Sequence, residues 1–129
     1  MRHADSNPDV DRLTLTDVLA ALSDPLRVGL VRLLADGEEH TFGQFTAPVA
    51  KSTLSHHQKV LNTAGLTWRR DEGTRCFIRL RREDVDARFP NLLDTVLAAA
   101  DHYDVGGHVT SDVQDAGDGT TDAHGTAGC

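Results

Sequence analysis

Between Lys51 and Leu80 the spacing of apolar side chains changes period, and that change constrains the fold more than any other feature of the chain. Leu54 and Leu61 stand a heptad apart, with Val60 and Ala64 beside them, and the run closes at Gly65. This is the narrow stripe of a helix over Lys51 to Thr63. Shortly afterwards Cys76, Ile78 and Leu80 alternate with Arg75, Phe77, Arg79 and Arg81, the period of two that a half-buried strand requires. Leu66 to Arg70 offers a partner strand, and Asp71-Glu72-Gly73-Thr74 a glycine-containing tip, so the segment reads as a hairpin.

Helices surround this unit. Leu15, Val18, Leu19 and Leu22 fall at helical spacing behind Thr14 or Thr16, either of which can cap, and the run stops at Ser23-Asp24-Pro25. Pro25 suits the first turn of a second helix, where its missing N–H would be unpaired anyway; Leu26, Leu30, Leu33 and Leu34 form its stripe and Gly37 ends it. Phe42 and Phe45 occupy a short segment before Pro48, giving helix, tight turn, helix into Lys51. After Arg82, the acidic Glu83-Asp84 start and Pro90 open a last helix with Phe89, Leu92, Leu93, Val96, Leu97 and Ala100 at helical spacing. The expected fold is mainly α with a small β-hairpin: a winged helix-turn-helix of about five helices and a two-stranded wing. Residues 13–104 form that domain. Residues 1–12, polar and containing Pro8, read as a disordered arm, and residues 105–129, with six glycines, four aspartates and no basic residue, as a disordered acidic tail.

A net charge of −7 argues at first against a nucleic-acid partner. Resolved by segment, the balance is −4 over residues 1–50, +6 over 51–82, −3 over 83–100 and −6 over 101–129. Salt screens charge beyond roughly 8 Å, so phosphate binding answers to the local field, and the +6 block covers the helix and hairpin just described. The helix face opposite the apolar stripe carries Ser52, Thr53, Ser55, His56, Lys59 and Thr63, short polar or basic groups suited to base edges and phosphates. Both lysines of the chain, Lys51 and Lys59, lie on this helix.

The stretches LSDPLRVGLVRLLADGE, KSTLSHHQKVLNTAGL and RRDEGTRCFIRLRRED resemble the ArsR family of bacterial winged-helix repressors over roughly residues 13–100. The resemblance implies a homodimer joined through its first and last helices, binding an inverted-repeat operator in double-stranded DNA and usually repressing. Carried over by position, Lys51, Ser52, Thr53, Ser55, His56 and His57 match the DNA-facing part of the family's recognition helix, with Lys59 a phosphate contact on charge grounds. His57 lies one turn after Leu54 on the inner side, so a packed, hydrogen-bonded imidazole fits it as well as a DNA contact does. Asp71 and Glu72 at the wing tip repel phosphate, which leaves Arg70, Arg75 or Arg69 as wing contacts, or a wing that is simply solvated.

Many such regulators sense metals through cysteines before the recognition helix. Here Thr41 and Gly43 of EHTFGQF hold those positions, and that site is absent. A second design uses the last helix, where Asp101, His102, Asp104 and His108, with His124 and Cys129 beyond, give a Zn- or Ni-sensing alternative; they lack a clean i, i+4 pair and are interrupted by Gly106-Gly107. Adjacent His56 and His57 point about 100° apart and do not chelate one metal. Two cysteines make no disulfide framework, and Cys76 on the inward strand face reads as a buried free thiol. No cofactor or catalytic motif is called for, and the expectation is a regulator without enzymatic activity. A winged-helix module that binds protein is the remaining class, disfavoured by the basic block and by a face without aromatic anchors. With no apolar run near ~20 residues and no leader-like stretch in Met1-Arg2-His3-Ala4-Asp5, the expected location is the cytoplasm. Leu15, Val18, Leu19 and Leu22 with Leu92, Leu93, Val96 and Leu97 supply more apolar helix surface than one such domain covers, and are the expected dimer interface.

Overall fold

Two side-chain caps set the first two helices. The Thr14 hydroxyl accepts from the Asp17 N–H at 3.2 Å and starts α1 (Leu15–Ala21). The Asp24 carboxylate accepts from the Leu26 N–H at 2.8 Å, with Pro25 in the first turn of α2 (Pro25–Leu33). The computed structural model describes residues 7–112 and continues through β1 (His40–Thr41), a 3-10 turn (Phe42–Gln44), β2 (Phe45–Thr46) and α3 (Lys51–Thr63). Then come β3 (Thr67–Glu72), β4 (Arg75–Leu80), α4 (Arg82–Arg88), α5 (Leu92–Tyr103) and β5 (Thr110–Ser111). Five helices and a small antiparallel sheet make a mainly α, winged-helix fold. No helix among the described residues is long and apolar enough to cross a membrane.

The wing forms as the alternation requires, with Arg70 opposite Phe77 and Glu72 opposite Arg75. β1 adds to its inner edge through His40 opposite Ile78, giving the order β1-β4-β3. Cys76, Ile78 and Leu80 face inward onto Leu26, Leu30 and Val31 of α2, Leu34 at its C-cap, and Leu54 and Leu61 of α3 in one core. Each such side chain contributes about 1.5–3 kcal/mol of burial. Gly65, at φ +90, lets the chain leave α3 against Leu13, whose Cδ1 would lie 2.5 Å from any added Cβ.

Several expectations give way. The segment before α3 is one 3-10 turn between two short strands, because Phe42 and Phe45 both point into the core and hold it extended. The last helix divides at Phe89-Pro90-Asn91 into α4 and α5, since proline disfavours helical geometry at the residue before it. Val18 and Leu93, expected at a dimer interface, are fully buried within the chain. Cys76 is buried but disulfide-bonded, where a free thiol was expected. Arg81 breaks the alternation. The chain turns into α4 there, and the guanidinium, 1% exposed, stacks 3.8 Å from the Trp68 ring, pairs with Asp84 at 2.9 Å and donates to the Pro8 carbonyl at 2.6 Å.

The domain also exceeds its expected ends. Residues 7–12, placed in a disordered arm, include a 3-10 turn at Val10–Arg12; the Asn7 side chain accepts from the Arg69 N–H at 2.9 Å, donates to the Arg69 carbonyl at 3.0 Å and accepts from the Asn62 amide at 2.8 Å. Residues 105–112, placed in a disordered tail, return along α2 to the segment before α3. Val109 is 4% exposed, and Thr110–Ser111 pair with Phe45–Thr46. Gly29 and Gly106 make this return possible, for a Cβ on Gly29 would lie 2.5 Å from the Gly106 carbonyl oxygen and 2.7 Å from Val109 Cγ2. The composition of 105–129 is averaged over a mixed segment, and its two anchoring groups, Val109 and Gly106, are lost in that average. The rest of the expected arm and tail, residues 1–6 and 113–129, lies outside the described residues.

Candidate nucleic-acid interface

Ser52, His56, Lys59 and Thr63 follow one another at four- and three-residue steps along α3, and all four are exposed together with Lys51 and Thr53. Leu54, Gln58, Leu61 and Asn62 are buried on the opposite side, and Ser55 and His57 are half-buried between the two faces. Ala50 at the N-cap offers no side-chain bond, so the first N–H groups of a thirteen-residue helix face outward beside Lys51.

Charge within the basic block divides by partner. Arg69 pairs with Asp71 at 3.2 Å, and Arg82 with Asp94 at 2.8 Å. Arg70 pairs with Glu39 at 2.8 Å and Glu72 at 2.9 Å while lying 4.4 Å from the Phe77 ring centre. The hydrogen bond from Arg70 holds the Glu39 carboxyl below its ordinary range, and Glu39 and Glu72 in turn raise the guanidinium above its own. Lys51, Lys59 and Arg79 form no ion pair among the described residues. The uncompensated positive charge of the block therefore includes both lysines of α3, whereas Arg69 and Arg70 of the wing carry their own counterions. Arg75 is exposed near the wing tip.

His57 is the packed imidazole of the two readings. Its Nδ1 lies 2.9 Å from Arg27 Nη1, and Arg27 also donates to the Ala21 carbonyl at 2.7 Å. A guanidinium only donates, so Nδ1 accepts and the ring is neutral with its proton on Nε2. Burial lowers the His57 pKa, the Arg27 and His56 charges add to the drop, and Asp24 opposes it. The sign follows: the unfolded chain binds this proton first, so the stability contributed by His57 is complete above about pH 6.5 and is lost as pH falls towards the lower folded value. Urea midpoints of wild type and His57→Gln at pH 8 and pH 5.5 should show the larger fall in wild type. Equal falls would remove His57 from the pH response.

At the end of α5, Asp101 and Asp104 both pair with Arg32 at 3.1 Å, and Arg32 donates to the Val105 carbonyl at 2.7 Å. One guanidinium thus engages both carboxylates. His102 packs edge-on against Tyr103, His108 is exposed, and no group of three or more His, Cys, Asp or Glu able to hold an ion occurs among the described residues. His124 and Cys129 lie outside them. Of the expected interface residues, Leu15 and Leu19 are 46% and 45% exposed, and Leu22, Leu92, Val96 and Leu97 are half-buried. Sequence reasoning missed Tyr103, 74% exposed at the end of α5, and the linking roles of Arg27 and Arg32. Only the phrase SDPLR pointed towards Arg27.

A winged-helix domain with a solvent-facing, locally unpaired cationic helix defines a helix-turn-helix class of protein. No protein-family model matches the chain. Over 82 residues it is 32% identical to the uncharacterized HTH-type transcriptional regulator YceK of Bacillus subtilis (strain 168), an alignment that spans 61% of this chain and 82% of that relative. The chain belongs to the HTH-type transcriptional regulators.

Proposed function

We propose that the chain is a sequence-specific regulator of transcription, without enzymatic activity, that places α3 in the major groove of double-stranded DNA in the cytoplasm. The observation that carries this reading is the division of charge: Lys51 and Lys59 on α3 are unpaired among the described residues, while Arg69 and Arg70 of the wing are neutralised by Asp71, Glu39 and Glu72. Ser52, Thr53, Ser55 and His56 then read base edges, Lys51 and Lys59 bind phosphates, and Arg70 and Arg75 are the wing candidates. His57 acts from behind, holding α3 to α2 through Arg27. The ArsR-like motifs and the exposed Leu15 and Leu19 support a homodimer on an inverted-repeat operator, acting as a repressor.

Duplex titrations over a range of salt test the assignment. Lys59→Ala should lower the slope of log affinity against log salt by about 1, as one released counterion requires. Arg70→Ala should lower it by much less, because its charge is already balanced. His56→Ala or Ser52→Ala should cost on the order of 1–3 kcal/mol on a selected operator with non-specific binding nearly unchanged. Loss of slope in Arg70→Ala and none in Lys59→Ala would move the interface from α3 to the wing.

A further inference from the structure

α1, α2 and α3 enclose a groove of about 590 Å³ on the flank of the proposed recognition helix. Its accessible apolar surface comes from Ala20 of α1 and Val60 of α3, with the buried Ala21 and Ala64 forming its floor. Arg27, His56 and Lys59 stand at its walls, against one carboxylate, Asp17. The volume falls within the range of small-molecule sites, and a mostly apolar surface with a few convergent polar groups is their usual make-up. Arg27 and Lys59 form no ion pair among the described residues, so the two cations outnumber the groove's one carboxylate, Asp17.

We propose that this groove binds a small organic anion with a flat apolar body, such as an aromatic carboxylate, and that its occupation displaces DNA. A DNA phosphate uses the cations and leaves the alanine surface uncovered. An aromatic carboxylate answers to both, with its ring against Ala20 and Val60 over the buried Ala21 and Ala64, and its charge towards Arg27 and Lys59. Small alanine side chains make room for a ring where leucines would fill the space. Because Lys59 and His56 also belong to the proposed DNA face, an anion placed here takes the Lys59 charge from the phosphates and covers His56. The displacement rests on the DNA reading above; binding to the groove does not.

Isothermal titration of the full chain with 2-naphthoate tests the site, with inorganic phosphate as the comparison anion. Naphthoate should saturate one site per chain and bind at least tenfold more tightly than phosphate. Ala20→Leu, an exposed helix position that accepts leucine, fills the groove and should weaken naphthoate at least tenfold while duplex affinity and melting temperature hold. Asp17→Asn removes the groove's carboxylate and should tighten naphthoate roughly threefold, the scale of one exposed charge pair. In the wild type, naphthoate should release a labelled duplex competitively. No saturable naphthoate binding, phosphate binding equally well, or indifference to Ala20→Leu each overturns the site. Saturable binding that leaves a bound duplex in place overturns the displacement. A chain that binds naphthoate as described and no duplex at all would refute the proposed function and leave the site standing.

Discussion

Gly29→Ala is expected to cost about 2–3 kcal/mol of stability, close to the whole burial of one valine. The added methyl would lie 2.5 Å from the Gly106 carbonyl oxygen, which the Val109 N–H holds at 3.0 Å in a turn with Gly106 at φ +79. That carbonyl cannot retreat without drawing Val109 out of the core and parting Thr110–Ser111 from Phe45–Thr46. For a domain of roughly 100 residues the loss appears as a fall in melting temperature on the order of 10 °C. Gly43→Ala is the control, since nothing lies within 4 Å of its added methyl, and it should change stability by no more than a few tenths of a kcal/mol. Calorimetry of the two variants, with amide exchange followed at Asp112, whose N–H bonds the Gln44 carbonyl at 2.8 Å, decides the matter. An unchanged melting temperature in Gly29→Ala would show that residues 105–112 do not hold the fold.

Leu93→Ala should destabilise the folded chain by about 2–5 kcal/mol, the range for emptying a leucine site in a packed core. Leu93 is 0% exposed without any partner chain, so its loss is felt in the monomer. Leu19→Ser should behave in the opposite manner. It lies 45% exposed on α1, and its replacement should leave the monomer's urea midpoint nearly unchanged while shifting sedimentation from the proposed dimer to monomer at micromolar concentration. A Leu93→Ala protein as stable as wild type would contradict the core assignment. A Leu19→Ser protein that remains a dimer would exclude α1 from the interface.

The elements with strong periodicity are legible in the sequence itself. α2, α3 and the wing have their apolar residues at positions that one helical or strand period explains, and Pro25, Gly65 and Gly73 mark their ends. Less legible were residues whose burial depends on partners distant in sequence. Arg81 looks outward by alternation, and only the approach of Trp68, Asp84 and Pro8 makes a buried guanidinium tolerable there. Val18 and Leu93 share helices with exposed leucines, and spacing alone does not say which side of an apolar stripe meets its own core. On the candidate face, the placement of Ser52, His56 and Lys59 followed from the stripe opposite them. The neutralisation of Arg70 did not, because Glu39 lies 31 residues away in sequence.

Asn7 bears on how the molecule avoids its own kind of error. In the order β1-β4-β3 the strand β3 is an edge, and an edge presents unpaired N–H and C=O groups on which another chain can add a strand. At Arg69 both groups are taken by the Asn7 side chain, whose amide accepts from the N–H and donates to the carbonyl as a neighbouring strand would. One side chain thus imitates a β-bridge and closes the middle of the edge to strand addition. The charged Asp71 and Glu72 guard the outer part of the same strand. An Asn7→Ala chain exposes that pair of groups, and the harm to look for is slow aggregation at high concentration, with the fold itself largely retained.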